Sequence, residues 1–231
     1  RAEAIDEAGE FPHELFADLA KLGLFGLRYP ESLGGVGFGL LPLCLGISEI
    51  ARGSLSLAAV ASMQSVMGTH FLHVYGNENI HETLLKPAIR GEKIGTICIT
   101  EPNAGSDLSS ISTSAEKTRE GYRLNGQKTW ITSAPVADFF TVFARAGEDR
   151  RLTIFLVEKH FPGLKVGRSI AKMGCRASPT SEVFFDNCLV PEDHRLGEVG
   201  EGEGALRKIL SDVRILTGAL ALGVARAALD D

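Results

Sequence analysis

The hydrophobic rhythm of the chain changes twice. Over residues 1–95 apolar positions recur at helical spacing, over 96–195 they come in short β-rich runs, and over 196–231 the helical period returns. These intervals are the expected domains: an N-terminal helical domain, a middle β domain, and a linker with the first helix of a further helical domain. In the first, a helix around Glu3 precedes one that opens near Pro12, where the missing N–H costs little, and carries Leu15, Phe16, Leu19 and Leu22 to Gly23. Residues 30–39 hold Gly34, Gly35, Gly37 and Gly39 without a Gly-Lys-Ser/Thr ending. A turn joining two helices is therefore a stronger reading than a phosphate loop. Residues 41–51, 57–75 and 80–90 supply further helices, with Gly76 and Asn77 as a stop.

Strands are expected at residues 94–100 and 111–116, then on both sides of Asn125-Gly126, a dipeptide that signals a two-residue hairpin because both turn positions need positive φ. Further strands follow at 139–144, 152–157 and 182–185, and the spacing predicts an antiparallel, barrel-like sheet. The fold class expected is α+β, multidomain. In the last interval Leu206, Ile209, Leu210, Val213, Leu216, Leu220 and Val224 form one helical stripe. Burying each large side chain of such a stripe is worth roughly 1.5–3 kcal/mol, so something must cover it. A downstream helical domain is the expected cover.

Composition narrows the function. The formal net charge is -5, and no Lys/Arg block exceeds two in a row, which argues against a nucleic-acid partner. No stretch reads as a membrane span or signal peptide. Cys44, Cys98, Cys175 and Cys188 lie far apart among mostly apolar neighbours and read as buried free thiols. His70 and His73 can share a helix face, but no third ligand is spaced to complete a metal site. No GxSxG elbow is present.

The chemistry concentrates in two places. Thr100-Glu101-Pro102-Asn103-Ala104-Gly105-Ser106-Asp107 follows a strand, and Pro102 and Gly105 force a compact turn. Its backbone N–H groups, with the Thr100 and Ser106 hydroxyls, suit an anion such as a diphosphate; a plain Asx or Ser turn is the alternative. Trp130-Ile131-Thr132-Ser133 offers a ring able to cover a planar cofactor and a nearby hydroxyl; ordinary core packing is the alternative for Trp130.

These two stretches, with Pro30-Glu31, Gly34 to Gly37, Asn125-Gly126-Gln127-Lys128, Lys172-Met173-Gly174-Cys175-Arg176, Glu182 to Asp186 and Val190-Pro191, resemble the acyl-CoA dehydrogenase family over essentially the whole chain. The resemblance implies FAD, with Thr100, Gly105 and Ser106 holding flavin and diphosphate groups, Trp130 against one flavin face and Thr132 near N5. It implies that Ser106 and Arg214 border the substrate, a CoA- or carrier-protein-linked acyl thioester. The family reaction removes the α proton to a carboxylate and the β hydrogen as hydride to flavin N5. The resemblance also implies a C-terminal four-helix bundle, a homodimer or homotetramer, an electron-transfer partner, and a cytoplasmic or mitochondrial-matrix location. One minority arrangement places the base just before the arginine of the last helix. Here that pair is Val213-Arg214, and Asp212 points about 100° away around the helix. The base is therefore expected to be the glutamate that the resemblance usually places beyond residue 231. Glu101 and Asp107 are expected in turn and domain-interface hydrogen bonds, and Arg176 in a structural ion pair. A flavin oxidase or oxygenase on the same fold, and a catalytically silent binding protein, are the competing readings.

Overall fold

The computed structural model describes residues 1–230. Helix α1 (Ala2–Ala8) buries no residue, whereas α2 (His13–Lys21) buries Phe16 and Leu19 and gives way at Gly23, which takes a φ of 77°. The glycine-rich connection is a close-packed turn. A Cβ on Gly35 would lie 2.1 Å from the Tyr29 carbonyl oxygen and 2.5 Å from that of Gly26, so no side chain fits there. The turn leads into α3 (Leu40–Gly53) and then α4 (Leu55–Ser62), whose start is capped by Ser54 accepting from the Leu57 N–H.

The single helix expected over 57–75 is interrupted. A π-helical turn, Met63–Met67, separates α4 from α5 (His70–Tyr75). The wider turn aims buried Gln64 out of the helix. Its amide donates to the carbonyls of Ala88 and Lys93 (2.9 and 2.8 Å) and accepts from the Gly95 N–H (3.0 Å). One side chain thus ties the helical domain to the first strand. The stretch Leu55–Tyr75 is long and apolar enough to cross a membrane, contrary to the sequence expectation, but its most apolar window is 83% buried and serves as core. The helix expected over 80–90 is likewise split into α6 (Glu78–Ile80), a π turn (His81–Leu85) and α7 (Lys86–Ile89).

The middle domain contains β1 (Gly95–Cys98), β2 (Ser114–Lys117), β3 (Gly121–Thr132), β4 (Phe139–Ala146), β5 (Arg151–Glu158), β6 (Leu164–Val166), β7 (Thr180–Pro191) and β8 (Arg195–Leu196). They form one sheet in the order β6-β7-β3-β2-β4-β5-β8, with β1 also on β4. The expected barrel-like antiparallel sheet needs correction on two counts. The sheet is open, because β6 and β8 end it without pairing to each other, and it is mixed. Strands β1 and β2 lie parallel to β4, at Gly95–Cys98 and at Ser114 and Ala115. Both reach β4 through long connections, which leave strand direction free where a hairpin would fix it as antiparallel.

The Asn125-Gly126 hairpin is also corrected. Residues Gly121–Thr132 are one strand, and the dipeptide sits opposite a bulge of β7 at Asp186 and Asn187, where the register jumps between Leu124 and Gly126. Gly126 takes a φ of 150°, and a Cβ there would meet Thr113 Oγ1 at 2.5 Å. Asn125 Oδ1 accepts from the Asn187 N–H at 2.8 Å. Tolerance of positive φ serves a bulge as well as a hairpin turn, so the dipeptide alone does not separate them. The hairpin lies one turn earlier, where Lys117 pairs with Tyr122.

Helix α8 (Gly202–Asp230) packs along α3 and is not left bare. Leu206, Ile209 and Leu216 are buried, and Leu210, Val213 and Leu220 are partly covered. The expectation that this stripe lacks cover within the chain is therefore corrected: the helical domain and the sheet supply most of it. Val224 stays exposed, as do Ile215, Leu222 and Leu229 on other faces.

Candidate active site

The turn after β1 is held from beneath. Glu101 and Ala104 bond to each other through their backbones, and the Glu101 carboxylate is buried under the turn. It accepts from the backbone and hydroxyl of Ser112 (both 2.7 Å), from those of Thr113 (3.0 and 2.5 Å), and from the Lys128 ammonium (2.8 Å). Burial pushes this carboxyl up, but the Lys128 charge and the hydroxyl donors outweigh it and bring it down to about 2. Lys128, also buried, is pushed down by burial and held up by Glu101. Asp107 accepts from Ser109 and Ser110 and caps the short turn Leu108–Ser110, which lowers its carboxyl. Among the described residues, Glu101 and Asp107 thus bond within turns of the β domain.

The scaffold leaves Gly105 and Ser106 exposed at the tip, with nothing within 4 Å of a Cβ built on Gly105. The Thr100 carbonyl accepts from the Thr129 N–H at 2.9 Å, so the turn abuts the bulge of β3. That bulge, where the register jumps between Lys128 and Ile131, puts Trp130 at a φ of 57° with 59% of its surface exposed. A bulky residue with left-handed backbone and an indole in solvent is costly on two accounts, and such costs gather at functional sites. Trp130 is not core packing. The open turn beside an exposed indole fits a flavin: backbone and hydroxyl donors for phosphate, and an aromatic face for a ring.

Thr132, at the end of β3, opens instead into an apolar cavity of about 300 Å³ between the domains. Ala59, Ser62, Met63 and Met67 form one wall; Val213, Leu216, Thr217 and Leu220 of α8 form another; Thr132, Lys172, Cys175, Ser178 and Thr180 close it from the sheet. Lys172 donates to the Ser178 carbonyl and to Thr180 Oγ1, and burial lowers its ammonium. Cys175 is only partly buried, with a φ of 49°, unlike the other three cysteines. Lys172, Met63, Met67 and Thr217 escape a reading by periodicity, because the first lies in an irregular connection and the others look like ordinary helix positions.

Ser106 and Arg214 meet in a separate groove of about 480 Å³, with Asp107, Arg145, Glu203 and Arg207. Arg145 is spent on the carbonyls of Ser109, Ile111 and Arg150, and Arg207 on Glu203. Neither the Ser106 hydroxyl nor the Arg214 guanidinium has a protein partner among the described residues. Thr100, Gly105 and Trp130 line neither space. No carboxylate lines the cavity. Glu49 is engaged by Arg52 and Arg226, Asp212 by Arg28 and Glu101 by Lys128. Arg176 pairs with Asp6 at 3.2 Å. His70 and His73 leave Nδ1 buried without a partner, and among the described residues no His/Cys/Asp/Glu group is arranged to hold a metal.

Two family models match: the acyl-CoA dehydrogenase N-terminal domain over residues 1–92 and the middle domain over 96–188. The chain is 64% identical over 230 residues to benzylmalonyl-CoA dehydrogenase of Aromatoleum aromaticum, covering 99% of this chain and 61% of that protein. Among solved structures, the glutaryl-coenzyme A dehydrogenase glutaryl-CoA complex superimposes with a TM-score of 0.95 at 35% identity, over 99% of this chain and 60% of the other. Acyl-CoA dehydrogenase complexed with FAD from Bacillus anthracis gives 0.87 at 31% identity, over 92% and 37%. The chain spans about three-fifths of the length of its curated relatives. Matched by both domain models and sharing the three-part architecture of these structures, the chain belongs to the acyl-CoA dehydrogenase family.

Proposed function

We propose that the protein is an FAD-dependent dehydrogenase that removes hydrogen from the α and β carbons of an acyl thioester. The observation that carries this reading is the position of α8. Val213 lines the apolar cavity while Arg214, about 100° further round the helix, lines the polar groove with Ser106. A molecule with an apolar head and a long polar tail can straddle the helix, as an acyl thioester requires. Bound FAD supplies the two-electron acceptor. Thr100, Gly105 and Ser106 would hold its phosphate and ring edges, Trp130 would cover one ring face, and the Thr132 hydroxyl, which lines the cavity, would offer a hydrogen bond to the ring. Ser106 and Arg214 seat the pantetheine. Met63, Met67 and Leu216 exclude water from the acyl chain, which strengthens the polar contacts around the reacting carbons. The α proton goes to a carboxylate outside residues 1–230, since no carboxylate lines the cavity.

The tail is CoA. The groove continues past the Arg207–Glu203 pair to Asp149, Arg150 and Arg151, where arginines outnumber acids, a balance suited to phosphates. The acyl group carries an aryl substituent, as the name of the Aromatoleum relative suggests. Catalysis takes place in a cytoplasmic homodimer or homotetramer that passes electrons to an electron-transfer flavoprotein. The dehydrogenase reading is preferred to an oxidase because the relative at 64% identity is named a dehydrogenase. The test is a panel of arylpropionyl-, benzylmalonyl- and butyryl-CoA beside the same acyl groups on a carrier protein, assayed on the full-length holoenzyme for enoyl product. Aryl-CoA thioesters should give the highest kcat/KM. Equal or better turnover of carrier-linked thioesters, or oxygen consumption matching product, contradicts the proposal.

A further inference from the structure

Four residues of α8, Val213, Leu216, Thr217 and Leu220, form one wall of the apolar cavity, facing Ala59, Met63 and Met67. The gap between these walls depends on where α8 sits, and two of the contacts that seat it, on either side of the lining residues, have little room to adjust. At one end Asp212 Oδ2 accepts from Arg28 Nη2 at 3.2 Å in a part-buried ion pair, and Arg28 Nη1 is buried without another partner. The guanidinium therefore has no alternative bond to slide toward. At the other end Gly223 lies on α3. A Cβ there would stand 2.3 Å from the Ser48 carbonyl oxygen and 2.7 Å from Ala51 Cβ. A backbone carbonyl inside a helix cannot turn aside, so an added methyl must move the helix, by on the order of 1 Å to restore normal contact.

Asp212 and Gly223 are eleven positions apart, about three turns, so both lie on one stripe of α8. The four lining residues fall between them along the axis and on the neighbouring stripe. Neither anchor lines the cavity. Helices α3 and α4 are joined through Ser54 alone, so α8 pushed off α3 also recedes from α4.

We infer that Gly223 and the Arg28–Asp212 pair set the acyl selectivity of the protein by fixing the width of the cavity between α8 and α4. They are positioning residues. This inference rests on the reading of the cavity as the acyl site. Its test compares kcat/KM for 3-phenylpropionyl-CoA and butyryl-CoA in the full-length holoenzyme carrying Gly223→Ala or Arg28→Lys. The first variant adds the obstructing methyl, and the second keeps the charge but replaces the Nη2 contact to Asp212 with a shorter, differently shaped cation. Both should shift the ratio toward the bulkier acyl group by about tenfold, the scale at which pockets discriminate a methylene, chiefly through KM. Should Gly223→Ala fail to fold, Arg28→Lys decides alone. A ratio within about twofold of the parent, well under that scale, overturns the inference. Absence of turnover in the parent itself, with every thioester, overturns instead the reading on which it rests.

Discussion

Glu101 and Lys128 sit at a depth where neither charge tolerates isolation. Removing one partner of such a pair costs about 3–5 kcal/mol, whereas replacing both costs far less. Lys128→Met should therefore destabilise the β domain by that amount in urea unfolding, and adding Glu101→Gln should recover part of the loss. The pair also sets an acid response. The folded Glu101 carboxyl lies at about 2, below its ordinary value of 4.5, so its contribution is complete above the ordinary value and is lost as pH falls toward 2. The urea midpoint of the parent should fall over that window, and Glu101→Gln should flatten the dependence. A parent curve that Glu101→Gln leaves unchanged contradicts the coupling. At the proposed flavin site, Trp130→Ala should lower FAD retention and alter the visible spectrum. Thr132→Val, which nearly keeps volume, should retain FAD but slow anaerobic reduction. Unchanged spectra and rates in both folded variants contradict their placement.

Among the elements, β3 carries the proposed site because its pairing with β7 is broken by two bulges, the first on β7 and the second on β3 itself. The first bulge lets Gly126 pass close to Thr113, which also donates to Glu101. The second turns Trp130 outward. Gly126→Ala combines a strained φ with a clash and should destabilise by about 1–3 kcal/mol, with a lower melting temperature and weaker FAD retention as the turn loosens. Melting unchanged from the parent contradicts this. The bulges also mark the limit of what the sequence discloses. The hydrophobic period exposes α2, α3 and α8, and the β-rich runs expose most strands. Asn125-Gly126 reads as a hairpin because local φ preference carries no information on whether the chain reverses. The π turn at Met63–Met67 is hidden for a related reason: Gln64 leaves the helix to meet Ala88, Lys93 and Gly95, partners known only from the assembled fold.

Across the whole molecule, the position of the site between domains explains which residues were legible. Thr100, Gly105, Ser106, Trp130 and Thr132 stand in compact motifs, and their resemblance to a family pattern singles them out. The cavity stands only partly in motifs: Thr132, Lys172 and Cys175 belong to quoted stretches, but its helical walls do not. Ala59, Lys172 and Leu220 are far apart in sequence and meet only when α4, the sheet and α8 assemble. Packing α8 on α3 also accounts for the buried part of its stripe, which a reading of that helix alone leaves bare. The central claim is that this assembly carries out flavin-dependent dehydrogenation of a thioester. An anaerobic titration of the full-length holoenzyme with 3-phenylpropionyl-CoA tests it most directly, following the visible flavin absorbance and the enoyl thioester together. The account predicts bleaching with one enoyl thioester formed for each flavin reduced. Bleaching without enoyl product, or a spectrum unmoved by any acyl-CoA, contradicts it.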